Sequence, residues 1–147
     1  MTVRVSRTFD IAAAPEAVWS FIADPKKRAD AISVVESWEP DGDEFIWHLK
    51  LPIPVVDKTV AVRTRDVDRD ENERVKFVGR SRVMNVTGEH ILTPHDGGTR
   101  VENRFVVDGR LPGVERFFDR SFGGELDNLR TALERELEVD VDTSTPD

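Results

Sequence analysis

A chain of 147 residues has room for one hydrophobic core, because halving it would leave each part near the size at which a core becomes marginal. At 38% hydrophobic and 34% charged, with three Trp and eight Phe, it is neither membrane-spanning nor wholly disordered. The 21 basic and 29 acidic residues leave a net charge of −8 that repels a polyphosphate, so nucleic acid is not an expected partner, and the absence of cysteine excludes disulfides and thiolate chemistry.

The N-terminal Met1-Thr2-Val3-Arg4 lacks the apolar stretch of a signal peptide, and no run of about 18 apolar residues follows, so a soluble, cytoplasmic protein is expected. Arginine outnumbers lysine 16 to 5 and 16 Asp accompany 13 Glu, a hydrated composition that suits a high-salt cytoplasm. Residues 3–11 alternate: Val3, Val5, Phe9 and Ile11 share a face with Arg7, which predicts a half-buried strand. Pro15 and Glu16 open a helix with an apolar stripe of Val18, Phe21 and Ile22, ended by Asp24-Pro25, and a second short helix is predicted over residues 26–31. Six strands follow at about 33–39, 44–51, 57–67, 74–81, 85–93 and 99–107. From Gly113 to Glu138 the period becomes helical, with Val114, Phe118, Phe122, Leu126, Leu129, Leu133 and Leu137 on one stripe. Residues 1–139 are then one domain, and residues 140–147, with Asp140, Asp142 and Asp147, an acidic disordered tail.

These elements pack economically in one way, an α+β arrangement in which a curved antiparallel seven-stranded sheet wraps around the long C-terminal helix, with two short helices after the first strand. A sheet and one helix rarely fill the space between them. A gap of roughly a few hundred Å³ is expected there, suited to a hydrophobic small molecule.

In a meander, turns alternate between the two ends of the sheet. Residues 39–43, 68–73 and 94–98 are polar turns at one end. The connections at the other end are apolar, with Pro52, Ile53, Pro54 and Val55 in the first, Val83 and Met84 in the second, and Leu111 and Pro112 in the third. Apolar loops gathered at one end either cap the core or form the mouth of a cavity. Gly123-Gly124 interrupts the long helix, which implies either close packing against a strand or room for a bound molecule.

Alternation also assigns inward residues. Trp47, Phe77, Phe105, Phe118 and Phe122 form the expected apolar wall, and His48 points outward. His90 and Asn103 fall on inward faces, where burial demands hydrogen bonds, so they are the expected polar contacts of a ligand and the catalytic candidates if there is a reaction. Arg63 and Arg65 share a face that is either solvated or able to meet an acidic group. The three histidines, His48, His90 and His95, show no ligand spacing, and neither a metal nor a cofactor is expected.

Phe9-Asp10-Ile11-Ala12-Ala13-Ala14-Pro15-Glu16-Ala17-Val18-Trp19, the Asp24-Pro25 pair, Leu92-Thr93-Pro94 and Gly97-Gly98-Thr99-Arg100-Val101 together resemble the START-like (SRPBCC) superfamily, which includes polyketide cyclases and a family of carbon monoxide dehydrogenase helper proteins. The resemblance spans about residues 3–138. It implies a helix-grip fold with a cavity for lipids, polyketides, quinones or sterols, and it carries no shared catalytic motif. Three readings follow: a carrier or binding protein for a hydrophobic small molecule, a cyclase- or dehydratase-like enzyme using His90, and an accessory protein docking on a membrane or a redox enzyme through Ile53, Val55, Met84 and Leu111. Oligomeric state is not legible.

Overall fold

A computed structural model describes residues 2–52, 59–111 and 113–144, with side chains through Leu137. In chain order the elements are β1 (Thr2–Ile11), α1 (Pro15–Ile22), α2 (Pro25–Ala31), β2 (Val35–Asp41), β3 (Glu44–Leu49), β4 (Val60–Asp70), β5 (Arg74–Arg80), β6 (Met84–His95), β7 (Gly98–Gly109) and α3 (Val114–Ser144). Among the described residues the strands form one antiparallel sheet of order β1-β7-β6-β5-β4-β3-β2, curled against α3. The α+β helix-grip arrangement read from the sequence is therefore the observed one.

Local chemistry places the elements. Pro25 opens α2, and the Asp24 carboxylate caps it by accepting from the Lys26 amide at 2.9 Å. Asp96 and Gly97 both take positive φ, 49° and 80°, as a two-residue hairpin between paired His95 and Gly98 requires. β6 runs through Pro94, two residues past its expected end at residue 93. The neighbouring β5 begins at Arg74 opposite Ile91, so no strand on that side calls for the amide that proline lacks. α3 continues to Ser144, six residues beyond the expected Glu138, because no helix breaker precedes Pro146.

The interior divides into two clusters along α3. Toward the polar turns, Phe9, Ile11, Val18, Ile22, Val75, Leu92 and Val101 pack against Leu129 and Leu133, with α1 sealing that end. Toward the apolar connections, Trp47, Phe77, Phe105 and Met84 pack against Val114, Phe118, Phe122 and Leu126. The connections at this second end are tied together where the Arg110 amide donates to the Val83 carbonyl at 2.7 Å.

Three glycines show why side chains are absent where they are. Gly88 faces Phe77 in register, and a Cβ there would overlap the Phe77 ring. Gly123 is buried beneath the Arg7 guanidinium, so the helix glycines reflect close packing against β1 at this position, while Gly124 faces open space. Arg7 starts from the inner face of β1 and reaches past Gly123 to Asp127, 3.7 Å away. Gly88→Ala is expected to destabilise the fold by about 1–3 kcal/mol through overpacking. Gly124→Ala is expected to stabilise it by about 1 kcal/mol through helix propensity. Urea unfolding of both variants checks the pair, and equal effects would show that the Phe77 contact does not constrain residue 88.

Candidate ligand-binding site

Strand alternation turns one ring from each of four strands toward α3: Trp47 from β3, Phe77 from β5, His90 from β6 and Phe105 from β7. Phe77 lies at the hub. Its centroid is 5.8 Å from Trp47, 5.7 Å from Phe105 and 6.2 Å from His90, whose ring is nearly parallel to it. α3 closes the group with Phe122, 4.9 Å from both Phe105 and Phe118.

These rings surround a cavity of about 40 Å³, room for about three water molecules. That is far below the few hundred Å³ expected from the sequence. The rings themselves account for the difference, since Phe77 lies over Gly88 and the phenyl groups of α3 reach down to meet Phe105. Of the expected ligand contacts, Trp47, Phe77, His90, Phe105, Phe118 and Phe122 line the cavity, whereas Asn103 lies one step behind His90.

The polar pair is fixed by its hydrogen bonds. The Asn103 amide nitrogen donates to the Arg7 carbonyl at 3.1 Å, so its oxygen is left to accept from Nδ1–H of His90 at 2.7 Å. His90 is thereby held as the Nδ1-protonated tautomer, with Nε2 carrying the lone pair. Complete burial, reinforced by the positive charge of Arg28, pushes the imidazole down to about 4, against smaller upward pulls from Asn103 and Asp66.

Arg28 was not singled out by the sequence. It is 3% exposed, lines the cavity and places its guanidinium 5.1 Å from the Phe77 ring centroid. Its Nη2 donates to Asp66 Oδ1 at 2.7 Å, and Asp66 Oδ2 accepts from Arg69 at 2.6 Å. Burial lowers the Arg28 pKa and Asp66 opposes that shift. The available signal was positional: on α2, Arg28 precedes buried Ala29 and lies four residues before buried Ile32. Glu125 was also missed. It is buried on α3, accepts from the Ser33 amide at 2.7 Å and from the Ser33 hydroxyl, and so ties the helix to the α2–β2 junction.

The expected mouth is placed in part. Val83 and Met84 are buried, and Met84 lines the cavity, so neither forms an exposed rim. Leu111 is half-buried and Pro52 exposed, while Ile53, Pro54, Val55 and Pro112 lie outside the described residues. Arg63 and Arg65 are on the outer face, where Arg63 meets Asp41 at 2.7 Å and Glu44 at 3.0 Å. His48 points outward toward Glu39, and His95 sits beside Asp96 at the β6–β7 turn. Among the described residues no group of three or more His, Asp or Glu is arranged to hold a metal, and no helix is long and apolar enough to cross a membrane.

A curved sheet gripping one long helix around an apolar cavity defines a helix-grip protein of the START-like class. The chain belongs to the family described as polyketide cyclase / dehydrase and lipid transport, which matches residues 2–134. Similar solved structures include a START superfamily protein from Mycobacterium smegmatis, 17% identical over 92% of this chain and 97% of that one, with a TM-score of 0.69. The Zhui aromatase/cyclase from Streptomyces sp. R1128 is 17% identical over 93% and 96%, with a TM-score of 0.70. A conserved protein from Geobacillus kaustophilus is 19% identical over 92% and 95%, with a TM-score of 0.75. At these identities the likeness speaks for the fold. No curated protein sequence matches the chain.

Because the folded-state pKa of His90 lies below its ordinary 6.5, the unfolded chain takes up the proton first as pH falls. The stabilising contribution is complete above about pH 6.5 and is lost progressively toward about pH 4, and the full difference corresponds to roughly 3 kcal/mol. Denaturant unfolding of wild type and His90→Gln at several pH values across this window is expected to show wild type losing that extra stability relative to the variant. Parallel pH profiles would contradict a buried neutral imidazole.

Proposed function

We propose that this protein binds a hydrophobic small molecule, of lipid, quinone or polyketide-like character, between α3 and the sheet. The observation that carries the reading is the cavity itself: a space inside the grip whose wall is largely aromatic and aliphatic, reached by side chains from six strands and two helices. The family description, which joins cyclases with lipid transport, supports the same reading. The present volume matches an end group, so a longer ligand requires Phe118 and Phe122 to turn aside, and these two rings set the size that enters.

The enzyme alternative gives His90 the proton-transfer role. A group protonated only near or below about pH 4 is not an acid at neutral pH and is a weak base there, so binding is the better-supported role. Of the residues the docking alternative rests on, Met84 is buried and Leu111 half-buried, while Ile53 and Val55 lie outside the described residues.

Native mass spectrometry after mild purification is expected to show an added apolar mass that organic extraction removes. Titration of the extracted protein with naphthalene is expected to move the NMR signals of Trp47 and Phe105. Bare chain in every gentle preparation, together with unmoved signals, would overturn the reading.

A further inference from the structure

A molecule held inside the grip has to pass its wall, and the wall is not equally firm all round. On the sheet side it is a continuous hydrogen-bonded ladder, and on one flank α3 packs against β1 and β7. The opposite flank is different. There residues 32–34 lead from α2 to the edge strand β2, and Ile32, Val34 and Val35 line the cavity. Val34 and Val35 are only half-buried although they face the cavity, so the wall here is a single layer of side chains.

The polar link from this junction to α3 is the Glu125 carboxylate. Its Oε2 accepts from the Ser33 amide at 2.7 Å and from the Asn128 side-chain amide at 3.4 Å, and its Oε1 accepts from the Ser33 hydroxyl. Ser33 stands between Ile32 and Val34, and Glu125 comes three residues after Phe122 and four before Leu129, so both partners are flanked by cavity-lining residues of their own segment. Ser33 is exposed, so water replaces these bonds as they part, and no strand ladder has to break. The junction itself stays on the sheet, because the Val34 carbonyl accepts from the Lys50 amide at 2.8 Å. Freedom to move lies on the helix side. Gly124, directly before Glu125, faces open space, so packing does not call for glycine there, and a glycine inside a helix loosens its turn.

Resting on the binding reading above, we propose that the hydrophobic molecule enters between α3 and the α2–β2 junction, and that the Ser33–Glu125 hydrogen bonds are the latch that holds this entrance shut. Ser33 and Glu125 are then positioning residues. They set how fast the cavity exchanges its contents, while the aromatic wall sets what it holds.

The test is ¹⁹F exchange spectroscopy of fluorobenzene on the full chain, which reads the rates of binding and release at equilibrium, beside its Kd from titration. Ser33→Ala and Glu125→Gln are each expected to raise both rates about fivefold or more and to leave Kd within about twofold, because free and occupied protein share the same opening. Glu136→Gln weakens the Lys27–Glu136 pair, 3.0 Å long between α2 and α3 with neither residue lining the cavity, and is expected to leave both rates within about twofold. The chain has no cysteine, so Ser33→Cys with Glu125→Cys, bridged by dibromobimane, ties the junction to α3 and nothing else. Exchange in the bridged protein is expected to slow about tenfold or more, and this arm decides should the single variants fail to fold. Unchanged rates in the latch variants and the bridged protein would overturn this inference and leave the binding reading standing, as would equal acceleration by Glu136→Gln. Wild type that binds neither fluorobenzene nor naphthalene would overturn both.

Discussion

The ring of Phe77 rests on β6 because residue 88 has no side chain, and the rest of the site is placed relative to that ring. Trp47, His90 and Phe105 come from three different strands, yet each meets Phe77 at 5.7–6.2 Å, and Arg28 reaches it from α2. Interiors are packed at crystal-like density, so lifting one ring away from the sheet would displace the groups around it. The missing methyl of Gly88 is thus a constraint on four elements at once. It also explains the small cavity, since a ring lying low on the sheet lets neighbouring rings close over it.

The buried Arg28–Asp66 pair stands in contrast to this packing. Desolvation of two charges offsets most of their attraction, and buried pairs of this kind are often no more stabilising than apolar residues of the same volume. Removing one partner is another matter, because it strands the other charge; Asp66 is insured against that by Arg69, while Arg28 has no second carboxylate bonded to it among the described residues. A bulge at Val67 shifts the β4–β5 register just after Asp66 and leaves Val67 exposed. Folding alone gives little reason to keep a cation in the wall of an apolar space.

Most of the architecture was legible because periodicity reports burial directly. The four-residue steps of α3 and the alternation of β3, β5, β6 and β7 placed Trp47, Phe77, His90 and Phe105 on inward faces, where they are found. What the pattern could not give was distance across the interior. The cavity came out small because ring packing between non-adjacent strands and α3 leaves no trace in local sequence. Arg28 escaped notice for a related reason: a charged residue on a short helix reads as solvated, and its burial depends on Asp66, 38 residues away. Met84 shows the opposite limit, an apolar residue at a strand start that reads as a rim but belongs to the core.

The two-part interior also bears on how such a chain can diversify. Leu133, Val101, Val18 and Ile22 form a foundation that does not line the cavity, sealed by α1. Phe118, Phe122 and Val86 face the cavity and take no part in that foundation. Exchanges among the latter alter capacity while the former keep the helix seated on the sheet, so a lineage with this plan can revise its cargo without renegotiating its scaffold.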